Sequence, residues 1–361
     1  VPVRIITADE RLSAAANKTS LAIFGPPGSG KTSLLKTLPA ADTVCLDLEA
    51  GMKSVQDWPG GSIPVRSFSD FRDLAVLIGG PDPAADPNAW YSAQHHQHAR
   101  SVYAGTGVEE YLASKSIVFV DSITDLTRQA MAYAKQQPEA FSERTGKPDV
   151  RGAYGLLGRE VIQALKHLQH AAGKTVIFVG VLEKVTDESH AVSWQPQMEG
   201  SKAGRELPGI VDQVISMHLF SRDAEGALVL DERATERRLV CRAGNPFGLP
   251  AKDRSGRLDM TEAPDLGALL AKINRTAPPS WPASGSAAAA MRGESVAADP
   301  VKARARKAPA ASLQAPAWNA SPPSSDKPWS AQPTPAAPAA APVSAPSAST
   351  PVPSGPSWLN G

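Results

Sequence analysis

Gly25-Pro-Pro-Gly-Ser-Gly-Lys-Thr32 stands between a short apolar run, Leu21-Ala-Ile-Phe24, and a helix-patterned segment, Lys31-Thr-Ser-Leu-Leu-Lys-Thr-Leu38. The run reads as a buried strand and the segment as a helix, so the glycines occupy the turn between them. The spacing fits G-x-x-x-x-G-K-[ST] in the strand-before, helix-after setting in which that pattern cradles phosphate. Gly25, Gly28 and Gly30 let successive N–H groups turn toward a β-phosphate, where a helix N-terminus already favours anions. The expected contact set is Gly25, Pro26, Pro27, Gly28, Ser29, Gly30, Lys31, Thr32 and Ser33. Lys31 would reach the β- and γ-phosphates of ATP, and the Thr32 hydroxyl would complete the shell of Mg²⁺. A glycine-rich turn merely capped by Thr32 is the alternative.

Working outward, apolar runs recur between helix patterns: Thr43–Leu48, about Ile63–Arg66, Ser116–Asp121 and Thr175–Leu182 read as strands, with helices at Ser69–Ile78, Ile123–Gln137 and Tyr154–Ala171. Runs apolar on both faces and spaced by helices require a mainly parallel sheet covered on both sides, so the fold class is α/β. A polar insert between Gly79 and Gly107 is expected to carry one helix near Trp90–Tyr103. After Leu182 come a polar stretch to Pro208 and then shorter runs at Gln213–Leu219, Ala227–Leu230 and Arg238–Ala243, which predict an antiparallel extension by hairpins. A closing helix is expected at Asp265–Ile273.

Two domains are expected, a globular body over 1–276 and a disordered tail over 277–361. The tail holds 17 prolines, 24 alanines and 14 serines in 85 positions, too little apolar surface to offset ordering entropy. With 37 Lys+Arg against 36 Asp+Glu, whole-chain charge favours neither nucleic acid nor membrane, so any such preference is local. Two cysteines, Cys45 and Cys241, form no disulfide framework, and no apolar run approaches a membrane span. Without a charged-then-apolar leader, a cytoplasmic protein without a membrane partner is the expectation. The start at Val1 leaves room for missing leading residues. His95-His96-Gln-His98 has no cysteine or carboxylate at ligand spacing, so a solvated helix face is expected there and no metal beyond Mg²⁺. In the tail, Lys302-Ala-Arg-Ala-Arg-Lys307 could touch phosphates, and Trp358-Leu359 reads as a docking peptide for a protein partner.

A magnesium nucleotide needs a carboxylate at a neighbouring strand end, and Asp121 after Ile-Val-Phe-Val is placed for it; the alternative is a buried aspartate beside a helix cap at Ser122. Hydrolysis also needs a base for water. Glu49, ending the strand next in sequence to the loop, is the candidate, with Asp47 its competitor on the same strand.

Together, Gly25–Thr32, Leu-Asp-Leu-Glu49 and Val-Phe-Val-Asp121-Ser122 resemble the RecA-like P-loop ATPase core. Their order and the tail are most similar to phage-encoded nucleotide-binding proteins of that core with an AAA-family ATP-binding domain, a group that includes single-strand annealing recombinases. The resemblance covers roughly Thr19–Ile273 as motif order. It implies Lys31 as the phosphate lysine, Thr32 as magnesium ligand, Glu49 as base and Asp121 as the second-strand acid. Ala251-Lys252-Asp253-Arg254-Ser255-Gly256 resembles the Lys-x-Arg-x-Gly element of RadA-type and hexameric-helicase cores. It implies self-association as a ring or filament, with Lys252 and Arg254 reaching the neighbour's γ-phosphate; a charged hairpin turn without a partner is the alternative.

RecA itself carries a glutamine at the end of the strand that here reads Val176-Ile-Phe-Val-Gly-Val181. Gly180 and Val181 lack such a side chain, so either Glu183 or Lys184 substitutes or nucleotide state couples weakly to DNA. The resemblance implies single-stranded DNA as partner, at Ser142–Arg151 (Arg144, Lys147, Arg151) and Lys184–Arg205 (Lys184, Lys202, Arg205), with Tyr154 and Trp194 for base stacking. Nearby acids nearly cancel these cations, and ordinary surface loops are the competing reading. The implied activity is Mg-dependent ATP hydrolysis on single-stranded DNA in phage recombination or annealing, in a bacterial host's cytoplasm. A hexameric helicase or packaging-type motor, and a nucleotide-binding regulator that recruits partners through its tail, stand as alternatives. Lys31→Ala is expected to abolish nucleotide hydrolysis, measured as phosphate release beside the wild type.

Overall fold

Strand β1 (Ser20–Gly25) is buried along its whole length, because a parallel neighbour flanks it on each side: β5 (Thr175–Thr186) and β7 (Gln213–Arg222). In the computed structural model, which describes residues 18–186, 190 and 192–275 together with Ile5 and Thr7, β5 is followed across the sheet by β4 (Ile117–Asp121), β2 (Thr43–Asp47) and the edge strand β3 (Gly61–Pro64), all parallel. Antiparallel β9 (Glu236–Val240) and β11 (Thr261–Glu262) extend the sheet beyond β7, and β8 (Leu228–Leu230) and β10 (Lys252–Asp253) also pair with β7. β6 (Val192–Pro196) folds back along the end of β5. The order β11-β9-β7-β1-β5-β4-β2-β3 is an α/β sheet, mainly parallel, with the antiparallel extension expected from the sequence. The tail from Ala277, with its basic run and Trp358-Leu359, lies outside the described residues.

Alternation along the strands feeds two cores. Ala22, Phe24, Val44, Leu46, Val118, Val120 and Phe178 pack under helices α1 (Phe68–Gly79), α4 (Ile123–Ala134) and α5 (Val150–His170). Leu21, Ile23, Cys45, Phe119, Ile177 and Val179 pack against Leu34, Leu35 and Leu38 after the glycine loop and against α7 (Leu266–Ile273). Both cysteines are free and buried.

Several boundaries differ from the sequence reading. The segment after the glycine loop is 3₁₀-helical at Thr32–Thr37; Pro39 ends it within two turns, and Thr37 Oγ1 donates back to the Leu34 carbonyl (2.7 Å). The insert holds two helices, α2 (Ala93–Val102) and α3 (Val108–Ala113), parted by Gly105 and Gly107 at positive φ. The stretch Lys184–Arg205 is not one loop: β5 runs on to Thr186, β6 returns, and α6 (Ser201–Ile210) begins. The strand predicted at Ile63–Arg66 lies two residues earlier, because Arg66 turns back to bond the Asp47 carbonyl.

The insert is pinned by buried polar contacts. Arg72 meets Glu160 at 3.2 Å and lies 3.3 Å over the Trp90 ring. His95, expected to be solvated, is instead buried: Nδ1 accepts from Tyr91 N and Nε2 faces Asp73, both at 2.9 Å. No group of three or more metal-ligating side chains occurs among the described residues. Tyr91 stacks on His167 with ring centroids 4.2 Å apart.

Burial pushes His167 down to about 4, against the opposing field of Asp82. Above pH 6.5 the ring is neutral both folded and unfolded; as pH falls from 6.5 to 4 the unfolded chain takes a proton that the folded one refuses, so stability is lost. His167→Gln is therefore expected to remove roughly 3 kcal/mol of the acid-side loss over that window, read as the difference between the two proteins' urea-unfolding free energies at pH 7 and pH 4.

Candidate phosphate-binding site

Because β1, β4 and β2 are parallel and in register, their C-terminal ends deliver the glycine loop, Asp121 and Asp47 to one edge of the sheet. In the loop, Gly28 (φ 75°) and Gly30 (φ 94°) take the left-handed backbone that glycine tolerates best. A Cβ on Gly25 would fall 2.6 Å from the Met217 carbonyl and 2.7 Å from Ser29 Oγ, so the loop's exit from β1 is equally closed to other residues.

Lys31 is nearly buried and donates to the carbonyls of Gly25 (2.9 Å) and Pro26 (3.0 Å) in its own loop. Burial lowers its pKa, while the charges of Glu49 and Asp121 oppose the shift. Thr32 Oγ1 donates to Asp121 Oδ2 at 2.6 Å. Ser29 Oγ is buried without a hydrogen-bond partner among the described residues. A cation turned onto main-chain oxygens and an orphaned hydroxyl fit a loop whose polar groups are arranged for a bound polyanion. Thr32 and Asp121 form a hard-oxygen pair of the kind that Mg²⁺ takes together with waters and phosphate oxygens.

The two base candidates separate in their surroundings. Asp47 accepts from Gly51 N (3.0 Å), and its other oxygen lies 3.6 Å from Arg66. Glu49 sits just past the strand, with its main-chain N–H directed to the Asp121 carbonyl at 3.3 Å. Partial burial and the neighbouring acids Asp125 and Asp121 raise its carboxyl pKa, while a hydrogen bond from Ser122 acts the other way. Ser122 also caps α4 by accepting from Asp125 N.

The structure also accounts for Gly180. A Cβ there would lie 2.7 Å from Ile123 Cγ2 and 2.8 Å from Phe24 Cε1, so a side chain at Gly180 would have to displace both. Glu183 and Lys184 lie out on the hairpin, opposite Gln195 and Trp194 of β6.

Lys252 and Arg254 lie at the other end of the sheet. Asp253 pairs with Gln213, which is level with Leu21 at the start of β1. Lys252 Nζ donates to the carbonyls of Pro208 and Val211, and Arg254 forms an exposed ion pair with Asp212 at 2.8 Å. Within one chain neither approaches the glycine loop. Two arginines that the sequence reading did not assign to the site border it: Arg66, which holds Asp47, and Arg237 on β9, whose guanidinium lies against Gly30. Neither belongs to a motif; only strand pairing brings them there.

A sequence profile described as an AAA domain matches residues 17–255. The chain belongs to this AAA-domain family. Among solved structures, this AAA domain is similar to a prototypical ATPase from the type III secretion system of pathogenic bacteria (18% identity over 59% of this chain and 55% of that one, TM-score 0.29). It is also similar to the RadB recombinase (13% identity, 65% and 90%, TM-score 0.26). It spans about half the length of the secretion-system ATPase. A search of curated proteins found no match. Among the described residues no helix is long and apolar enough to cross a membrane.

Burial raises the Asp121 pKa, with Thr32 and Lys31 opposing. Its charge therefore costs stability above the raised folded pKa, and that cost disappears once pH falls below the ordinary carboxylate value of about 4. Asp121→Asn is expected to raise the nucleotide-free Tm at pH 7 by about 2–4 °C, a gain that shrinks toward pH 4 in thermal denaturation followed by circular dichroism.

Proposed function

We propose that this AAA-domain protein is a magnesium-dependent ATPase acting on single-stranded DNA in recombination or annealing. The observation that carries the ATPase reading is the convergence of Lys31, Thr32 and Asp121 at one sheet edge, with Glu49 alongside. Lys31 exchanges its carbonyl partners for β- and γ-phosphate oxygens, and the glycine-loop amides hold the rest of the polyphosphate. Thr32 and Asp121 would hold Mg²⁺, which supplies neutralisation of phosphate charge when bound. Glu49, its pKa already raised, takes the proton from the attacking water.

The DNA reading is supported by the loop between α4 and α5. Arg144 and Lys147 in that loop and Arg151 in the first turn of α5 are exposed without an ion-pair partner among the described residues, beside exposed Phe141, Val150 and Tyr154. Cations interleaved with exposed rings suit a phosphate backbone with stacked bases. Trp194 is less open, edge-on to His218. The phage setting rests on the resemblance alone. Assembly through Lys252 and Arg254 belongs to the same proposal, and Arg254 is the better placed of the two: its exposed ion pair is worth only about 0–1 kcal/mol, whereas Lys252 serves two main-chain carbonyls.

ATP turnover measured with and without single-stranded DNA is expected to rise several-fold with DNA at low salt, and the stimulation to fade steeply as salt increases. Glu49→Gln should lower kcat by about 100-fold or more with nucleotide affinity retained. Unstimulated turnover at low salt would remove the DNA reading, and a normal kcat in Glu49→Gln would move the base elsewhere.

A further inference from the structure

Strand β9 begins Glu236-Arg237-Arg238, and the three charges are treated differently by the fold. Glu236 accepts from Arg222 (2.9 Å) and from Arg238 Nε (2.7 Å), so three neighbouring charged side chains satisfy one another. Arg237 has no hydrogen bond or ion pair among the described residues and is exposed. Its register opposite Leu219, two residues from the Met217–Leu239 pair, sets it above the core under the glycine loop. A Cβ built on Gly30 would meet Arg237 Nη1 at 3.0 Å, Cζ at 3.1 Å and Nε at 3.4 Å. The whole guanidinium therefore lies along the loop residue immediately before Lys31. Strand β9 supports it, and among the described residues no carboxylate pairs with it.

Resting on the phosphate-loop reading above, we propose that Arg237 is a nucleotide-binding residue supplied in cis, a second cation for the polyphosphate beside Lys31. The chemistry suits it: guanidinium N–H groups form a fixed fork that bonds two phosphate oxygens at once. Position determines which phosphates it serves. Lys31 reaches the β- and γ-phosphates, while the amides of the glycine loop cradle the α- and β-phosphates. A cation against Gly30 belongs to the cradle, so Arg237 serves the diphosphate that ADP and ATP share. It binds nucleotide and does not sense the γ-phosphate.

The test is isothermal titration of the full-length protein with Mg·ADP and with Mg·AMP-PNP, for wild type, Arg237→Ala, Arg237→Lys and Lys31→Ala. Arg237→Ala is expected to weaken both nucleotides by a similar factor, about 10- to 100-fold, with Arg237→Lys in between. Melting of the nucleotide-free protein should be unchanged, since Arg237 has no polar partner in the fold. Binding of Mg·ADP by Arg237→Ala within about twofold of wild type, while Lys31→Ala binds poorly, would overturn the assignment and leave the phosphate loop standing. Loss of AMP-PNP affinity alone would likewise overturn it, since the contact would then be to the γ-phosphate. Wild-type affinity in Lys31→Ala would show that nucleotide does not use this loop, and both readings would fall together. Should Arg237→Ala melt early, Arg237→Lys, which keeps bulk and charge but loses the fork, decides by the same two titrations.

Discussion

The hydroxyl of Thr32 and the carboxylate of Asp121 meet at 2.6 Å across 89 residues of chain, and most of the architecture is a condition for that meeting. It requires β1, β5 and β4 to lie side by side, parallel and in register, so that their ends coincide. Parallel pairing in turn requires crossover helices, and those helices bury both faces of the sheet. That is why the strands are apolar throughout and why polar chemistry gathers where they stop. The carboxylate is held in place at an energetic cost, since its burial opposes its charge, and Lys31 and the Thr32 hydroxyl recover only part of it. An edge built this way is unfinished as a set of interactions: a lysine bonds its own loop, a serine hydroxyl has no partner, and one arginine has none either.

Much of this edge was legible in the sequence because its signals are local. The glycine spacing, the apolar run before it and the acid ending Ile-Val-Phe-Val-Asp121 each lie within a few residues. The parallel core was legible for a similar reason, since a strand buried on both faces is apolar at every position. Helix starts could be read to within a few residues where a capping side chain marks them, as Ser67, Ser122 and Asp265 do. Asp149 caps α5 just as well, but three glycines in the next nine residues obscured the pattern.

What stayed hidden depends on pairs distant in sequence. Nothing local says that Arg66 will fix Asp47, or that Arg237 will reach across β7 to lie on Gly30. The hairpin of β5 and β6 lacks the apolar signature of the core strands because a two-stranded arm outside the main sheet exposes most of its side chains. His95 differs for the opposite reason. Its tripled histidine context looks hydrophilic, yet Asp73 and the Tyr91 amide make its burial possible.

The crowding at Gly180 carries an evolutionary consequence. Phe24 and Ile123 already occupy the volume that a Cβ at Gly180 would need, so a longer residue at that position would displace both. Both neighbours would first have to shrink, and each belongs to the central core, where truncation typically costs several kcal/mol. A lineage with this packing therefore keeps position 180 small unless Phe24 and Ile123 change with it.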